Sequence, residues 1–181
     1  LDILPGVIEE SHYSKDTQSD YVGALCTRVK SLTNGIYGSV FCAEDALSDA
    51  ELFDCNVVVD LSRVGSMETK SLLMGILVMK LQEYRMCGSE MNSRLRHVTV
   101  LEEAHNLLRK TSAEQSQEGA NLQGKSVEML ANAIAEMRTY GEGFIIADQA
   151  PGLLDMSVIR NTNTKIILRL PDEEDRKLVG K

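Results

Sequence analysis

The sequence predicts an α/β fold built on a parallel sheet with helices on both faces. Two observations lead there. Four short apolar runs, residues 57–59, 98–101, 144–147 and 165–170, alternate with stretches of helical periodicity. Strands buried on both faces read as continuous apolar runs, and helices between them cover a parallel sheet. The second observation is that three of these runs end in polar groups: Asp60, Glu102 with Glu103, and Asp148 with Gln149. Open parallel sheets bind ligands beyond the carboxyl ends of their strands. These tips are therefore the candidate site.

The elements follow in order. Residues 17–30 place Val22, Leu25, Cys26 and Val29 at helical spacing, and Asn34-Gly35 ends that helix. Residues 39–42 are expected to be extended, and residues 45–53 a short helix or acidic loop. Val57-Val58-Val59 is expected to be a buried strand with Asp60 at its tip. Ser66 caps the next helix, with Glu68 in its first turn, and the helix runs to about Arg85. A polar linker, residues 86–96, leads to the strand 98–101, and residues 106–110 continue as helix. Residues 111–121 are rich in Ser, Gln and Glu and are expected to be a mobile loop. A long helix with Val127, Leu130, Ile134 and Met137 on its apolar face then stops at Gly141. After the strand 144–147, Asp155 caps a short helix. The strand 165–170 and an acid-rich helix start after Pro171 complete the chain.

Composition narrows the function. Of 181 residues, 43% are apolar and 25% charged, which disfavours disorder and coiled coil. The longest apolar run, residues 72–79, contains a glycine and is too short to span a membrane. No basic leader followed by an apolar stretch opens the chain, so a cytoplasmic location and an internal piece of a longer protein are expected. The net charge of −8 argues against a small domain that binds nucleic acid by phosphate neutralisation alone. Eight aromatic residues and no tryptophan do not suit a base-stacking platform. Cys26, Cys42, Cys55 and Cys87 form no C-x-x-C pair, and His12, His97 and His105 complete no zinc quartet, which points to reduced thiols.

Val98-Thr99-Val100-Leu101-Glu102-Glu103-Ala104-His105 is an apolar strand followed by two adjacent carboxylates. That pattern suits a Walker B segment, in which the first acid serves the Mg²⁺ shell and the second polarises the attacking water. The alternative is acids favoured at a helix N-terminus by the helix dipole. A third reading is a metal hydrolase using Glu102, Glu103 and His105, although their spacing is not that of a helix-borne zinc pair. Gly119-Ala120-Asn121-Leu122-Gln123-Gly124-Lys125-Ser126 satisfies G-x-x-x-x-G-K-[ST] by letter. No apolar strand precedes it, which a working phosphate loop requires, so it reads as a loop leading into a helix. Gln149 could bond a phosphate or orient water. Arg138, Arg160 and Arg169 could contact phosphate, each with a structural alternative.

Taken together, Val98 to His105, Ala135 to Gly141 with its Arg138-Thr139-Tyr140-Gly141, Phe144 to Gln149 and Asn161 to Arg169 resemble the C-terminal half of the HerA-like ATPases of the HerA/FtsK superfamily. The superfamily includes DNA translocases and the conjugation and type IV secretion ATPases. The likeness covers residues 56–181, and residues 1–55 would be a variable helical insertion. It implies a RecA-like P-loop NTPase core, truncated, whose Walker A segment lies upstream. It also implies ATP and Mg²⁺ as ligands, Glu103 as the catalytic glutamate and Glu102 as the metal-shell acid. Gln149 becomes the sensor glutamine and Arg138 the arginine that reaches a neighbouring subunit's nucleotide. Glu102 departs from the aspartate more common there. The implied parent is a motor acting on DNA, its implied partners being copies of itself in a hexamer and a nuclease or secretion component. A non-hydrolysing assembly or regulatory module that keeps the fold is the alternative.

Overall fold

A computed structural model describes residues 3–10, 14–110 and 121–180, which divide between Leu47 and Ser48 into two compact units. The first unit is helical. It contains α1 (Leu4–Glu9), α2 (Lys15–Leu32) and α3 (Gly35–Phe41). The Ser14 hydroxyl accepts from the Thr17 amide and caps α2, and the Gln18 side chain donates to the Glu9 carbonyl, tying α2 to α1. The turn at Asn34-Gly35 ends α2, as the sequence indicates, with Gly35 at φ +58. It also starts α3, so residues 39–42, expected to be extended, are helical through Phe41.

The second unit holds the sheet. Its elements are α4 (Asp49–Phe53), α5 (Met67–Gly88), β1 (His97–Glu102), α6 (Asn121–Met137), β2 (Glu142–Ala147), α7 (Met156–Asn161) and α8 (Glu173–Val179). Ser48 and Glu51 form a reciprocal capping box on α4, and Ser66, Asp155 and Asp172 each accept from an amide in the first turn of the helix they precede. Residues 106–110 do not continue as an α-helix. A single 3₁₀ turn, Ala104–Asn106, is followed by an antiparallel bridge between Arg109 and Leu154. The expected loop at 111–121 lies outside the described residues as far as Ala120, and Asn121 already belongs to α6.

β1 and β2 pair in parallel, His97 opposite Glu142 through Glu102 opposite Ala147, with α6 on the crossover. The protein is thus mixed α/β with a two-stranded parallel sheet. One sheet face is packed: Leu101, with Phe144 and Ile146, meets Met74, Val78 and Leu81 of α5 and Leu130, Ala131 and Met137 of α6. The other face carries Val98, Val100 and Ile145, all exposed. Helices on both faces were expected, and among the described residues only one face is covered.

Two of the four expected strands are absent from the sheet. Residues 56–61 and 162–172 form neither helix nor strand. Val58 is 92% exposed, Ile166 88% and Leu168 85%. Fully burying such a side chain is worth about 1.5–3 kcal/mol. β-propensity reports the fit to a half-buried pleated surface, and here no neighbouring strand among the described residues offers that surface.

Gly141 ends the helix as anticipated. It adopts φ +83 after a 3₁₀ turn, Arg138–Tyr140, and a Cβ there would sit 2.4 Å from the Arg94 carbonyl oxygen. Only glycine accommodates both the left-handed turn and that contact.

At the amino ends of the strands lies a buried ion-pair network. Glu142, whose side chain is fully buried, accepts from Arg85 Nε at 2.9 Å, lies 2.8 Å from His97 Nδ1 and accepts from the Thr99 hydroxyl at 2.7 Å. Arg85 also donates to Asp54 at 2.6 Å and to the Phe53 carbonyl at 2.5 Å. Burial works to lower the Arg85 pKa, but the hydrogen bonds to Asp54 and Glu142 raise it above the ordinary value. This network fixes α4, α5 and the strand starts in one arrangement.

Candidate functional site

The in-register pairing of β1 and β2 brings the polar residues that follow them side by side. Glu102 ends β1 opposite Ala147, so the chain beyond the sheet presents Glu103 on one tip and Asp148 and Gln149 on the next. Successive strand residues point to opposite faces. Glu102 lies on the exposed face, and its side chain forms no hydrogen bond or ion pair among the described residues.

Glu103 is not extended. It adopts φ +49 and ψ +48, the left-handed region, which costs a residue with a Cβ about 1–2 kcal/mol. Strain of this kind persists where the surroundings enforce it, and it clusters at functional sites. Its effect is to swing the Glu103 carboxylate sideways, where the Gln149 side-chain amide donates to it. The sequence groups these two residues as polar strand tips, without indicating that they bond each other.

Asp148 lies beneath them, its side chain 3% exposed. Its Oδ2 accepts from the His105 amide at 2.8 Å and lies 2.9 Å from His105 Nδ1, while Oδ1 accepts from the Ala150 amide at 2.9 Å. His105 Nδ1 also lies 3.5 Å from Glu103 Oε2. Four residues from two strand tips thus form one connected cluster: Glu103, His105, Asp148 and Gln149. The sequence marked Asp148 as a polar tip and His105 as a possible ligand. It held no signal that the two bond each other, because that contact spans the crossover.

The other candidates lie elsewhere. Asp60, the third polar tip, accepts from the Ser62 amide at 2.8 Å in a local turn, and the segment before it is outside the sheet. That hydrogen bond holds its carboxyl below the usual aspartate range. Arg138 starts the 3₁₀ turn before β2, at the end of the sheet opposite Gln149. Six residues at about 3.3 Å each separate the ends of β2, so Arg138 does not belong to the Glu103 cluster. It is exposed and forms no side-chain hydrogen bond or ion pair among the described residues. Arg160 is exposed in the last turn of α7 and is likewise without such a bond to the cluster. Arg169 lies on the unpaired segment beside a surface concavity of about 420 Å³ lined by Ile167, Leu168 and Arg176. A second concavity, of about 400 Å³, lies between α5 and α6 at Gln82 and Glu136. Neither adjoins the strand tips.

The donor set tests the groups that the sequence brings to mind. A magnesium ion on a nucleotide takes one or two carboxylates and completes its shell with water and phosphate oxygens, which the adjacent Glu102 and Glu103 can serve. A self-contained metal centre fits less well. Nδ1 of His105 is committed to Asp148, and among the described residues no three His, Cys, Asp or Glu groups are arranged to hold a metal. The segment 119–126 is described only from Asn121. Its residues from Asn121 onward are backbone-helical within α6, and the described strand before it, β1, ends at Glu102. Gly119 and Ala120 lie outside the described residues.

No helix among the described residues is long and apolar enough to cross a membrane. No family model, no curated protein and no solved structure matches the chain.

Proposed function

We propose that this chain is the hydrolytic half of an ATP-driven motor with a RecA-like core, acting on DNA as a homo-oligomer. One observation carries the reading: Glu103 and Gln149, on the tips of adjacent parallel strands, are hydrogen-bonded to each other, with Glu103 held in a strained left-handed conformation. A carboxylate so directed is suited to take a proton from water, and the Gln149 amide beside it is suited to a terminal phosphate oxygen. Mg-ATP, when bound, supplies the phosphoryl group and the metal charge. Glu102, exposed next to Glu103, contributes an oxygen to the metal shell. The phosphate cradle comes from a segment outside these residues.

The placement of Arg138 supports action between subunits. It stands at the far end of β2 from Gln149, away from the cluster of its own chain, and its proposed target is a neighbour's site. The unpaired, exposed segments around Val58 and Ile166 are consistent with a sheet that continues beyond the described strands.

The test mixes variants of the parent protein. Arg138→Ala and Glu103→Gln homo-oligomers should each be nearly inactive, since an arginine finger is worth about 10³–10⁵ in rate. Mixed, with subunit exchange confirmed, they should recover part of the turnover, because some interfaces then pair an intact Glu103 with an intact Arg138. No recovery contradicts the assignment of Arg138 to a neighbour's site. Full activity of Arg138→Ala alone makes it a helix-terminal cation.

A further inference from the structure

We propose that His105, fixed by the buried Asp148, is the residue that positions Glu103. This rests on the reading of Glu103 as the hydrolytic base, and it names a group on which that reading is otherwise silent. Asp148 holds residue 105 twice through a single oxygen, by the backbone amide at 2.8 Å and by Nδ1 at 2.9 Å. Its other oxygen is taken by the Ala150 amide. A carboxylate saturated in this way, on the tip of a paired strand, is a rigid anchor.

Glu103 lies between two fixed points. Before it, Glu102 is in the ladder opposite Ala147. After it, the Asn106 amide donates to the Glu103 carbonyl at 2.9 Å, closing a turn that the Asp148 bond to residue 105 pins in place. The left-handed backbone of Glu103 is what spans these two points. The imidazole adds a second hold: Nδ1 stands 2.9 Å from Asp148 and 3.5 Å from the Glu103 carboxylate. Facing two carboxylates, Nδ1 carries its proton, since a lone pair there would meet theirs. Glu103 is therefore gripped on one oxygen by Gln149 and approached on the other by a proton that Asp148 orients.

The chemistry distinguishes which substitutions preserve this. An asparagine side chain can place its amide donor where Nδ1 stands. Glutamine reaches on toward the Nε2 position and leaves the Nδ1 position empty. His105→Asn should keep Glu103 in place, and His105→Gln and His105→Ala should release it.

Two measurements test this. In the 181-residue chain, a left-handed residue shows an unusually strong amide–Hα nuclear Overhauser effect within the residue, because positive φ brings the two hydrogens close. Glu103 should show it in the native chain and in His105→Asn. In His105→Gln, where the backbone amide of residue 105 still reaches Asp148, that backbone signal should persist, but the effect between the Gln149 side-chain amide and the Glu103 Cγ hydrogens, present in the native chain, should be lost. In the parent protein, His105→Gln should lower kcat for ATP by about 10²-fold, the loss typical of a misdirected catalytic group, with KM little changed and His105→Asn close to native. An unchanged effect between Gln149 and Glu103 in His105→Gln overturns the proposal, whatever the activity. If His105→Ala fails to fold, the comparison of Gln with Asn carries the same test. If that effect is lost as expected while Glu103→Gln still turns over ATP, the positioning stands and the hydrolytic reading fails.

Discussion

The side-chain amide of Gln149 donates to the carboxylate of Glu103, joining two residues 46 positions apart across the tips of β1 and β2. The contact exists because two parallel strands pair in register and because Glu103 leaves the strand through a left-handed turn. An extended residue at that position would follow the direction of β1 instead of leaning toward β2.

That turn makes a prediction about stability. Glycine adopts φ +49 without the steric cost that any Cβ brings. Glu103→Gly and Glu103→Ala both delete the carboxylate and its contacts, so the difference between them isolates the backbone. The glycine variant should be more stable than the alanine variant by about 1 kcal/mol in urea unfolding. Equal stabilities would mean that residue 103 is not left-handed in solution.

The network at the other end of the strands should be far more sensitive. Glu142 is fully buried between Arg85, His97 and Thr99, and its removal takes from the buried guanidinium its only buried carboxylate, leaving the half-exposed Asp54 as its charged partner. Glu142→Ala should destabilise by about 3–5 kcal/mol. Replacing both partners, Arg85→Met with Glu142→Leu, should cost clearly less than the sum of the single changes, because no uncompensated charge remains. Strict additivity in a double-mutant cycle would contradict the buried pair.

Asp54 gives a pH dependence of known sign. Its hydrogen bond from the Tyr84 hydroxyl, at 2.5 Å, and then that from Arg85 hold its carboxyl below the ordinary aspartate value. A group with a depressed folded-state pKa adds stability above its unfolded value, about 3.9, and loses it as the pH falls through the folded value. The melting temperature of the native chain should therefore drop below about pH 4 more steeply than that of Asp54→Asn. Glu51 and Asp60, also lowered by local hydrogen bonds, titrate in both chains and cancel in the comparison. Parallel curves would show that Asp54 is not held by Tyr84 and Arg85.

What the sequence revealed and what it hid divide along physical lines. Local signals held: Ser66 and Asp155 cap helices by bonding amides in the first turn, and Gly141 ends one by turning left-handed. Val98–Leu101 and Phe144–Ala147 read correctly as strands because each has the other as a partner. Val57–Val59 and Ile166–Leu168 carry the same apolar signal, yet a strand also needs a neighbour, which local pattern does not report. At the site, the acids of β1 and the polar tip of β2 were legible as strand ends. The left-handed turn at Glu103 was not, since glutamate gives no hint of positive φ. The Asp148–His105 bond was hidden for a different reason, because it joins residues 43 apart.

The central claim is that Glu103 is the base that activates water for ATP hydrolysis. Steady-state turnover of the parent protein carrying Glu103→Gln, measured beside its nucleotide affinity, tests it most directly. The amide keeps the shape and can still meet Gln149, but it cannot accept the proton. Turnover should fall by about 10²–10⁴-fold while ATP still binds. Turnover within a few-fold of native, with the variant folded and ATP bound, would contradict the account.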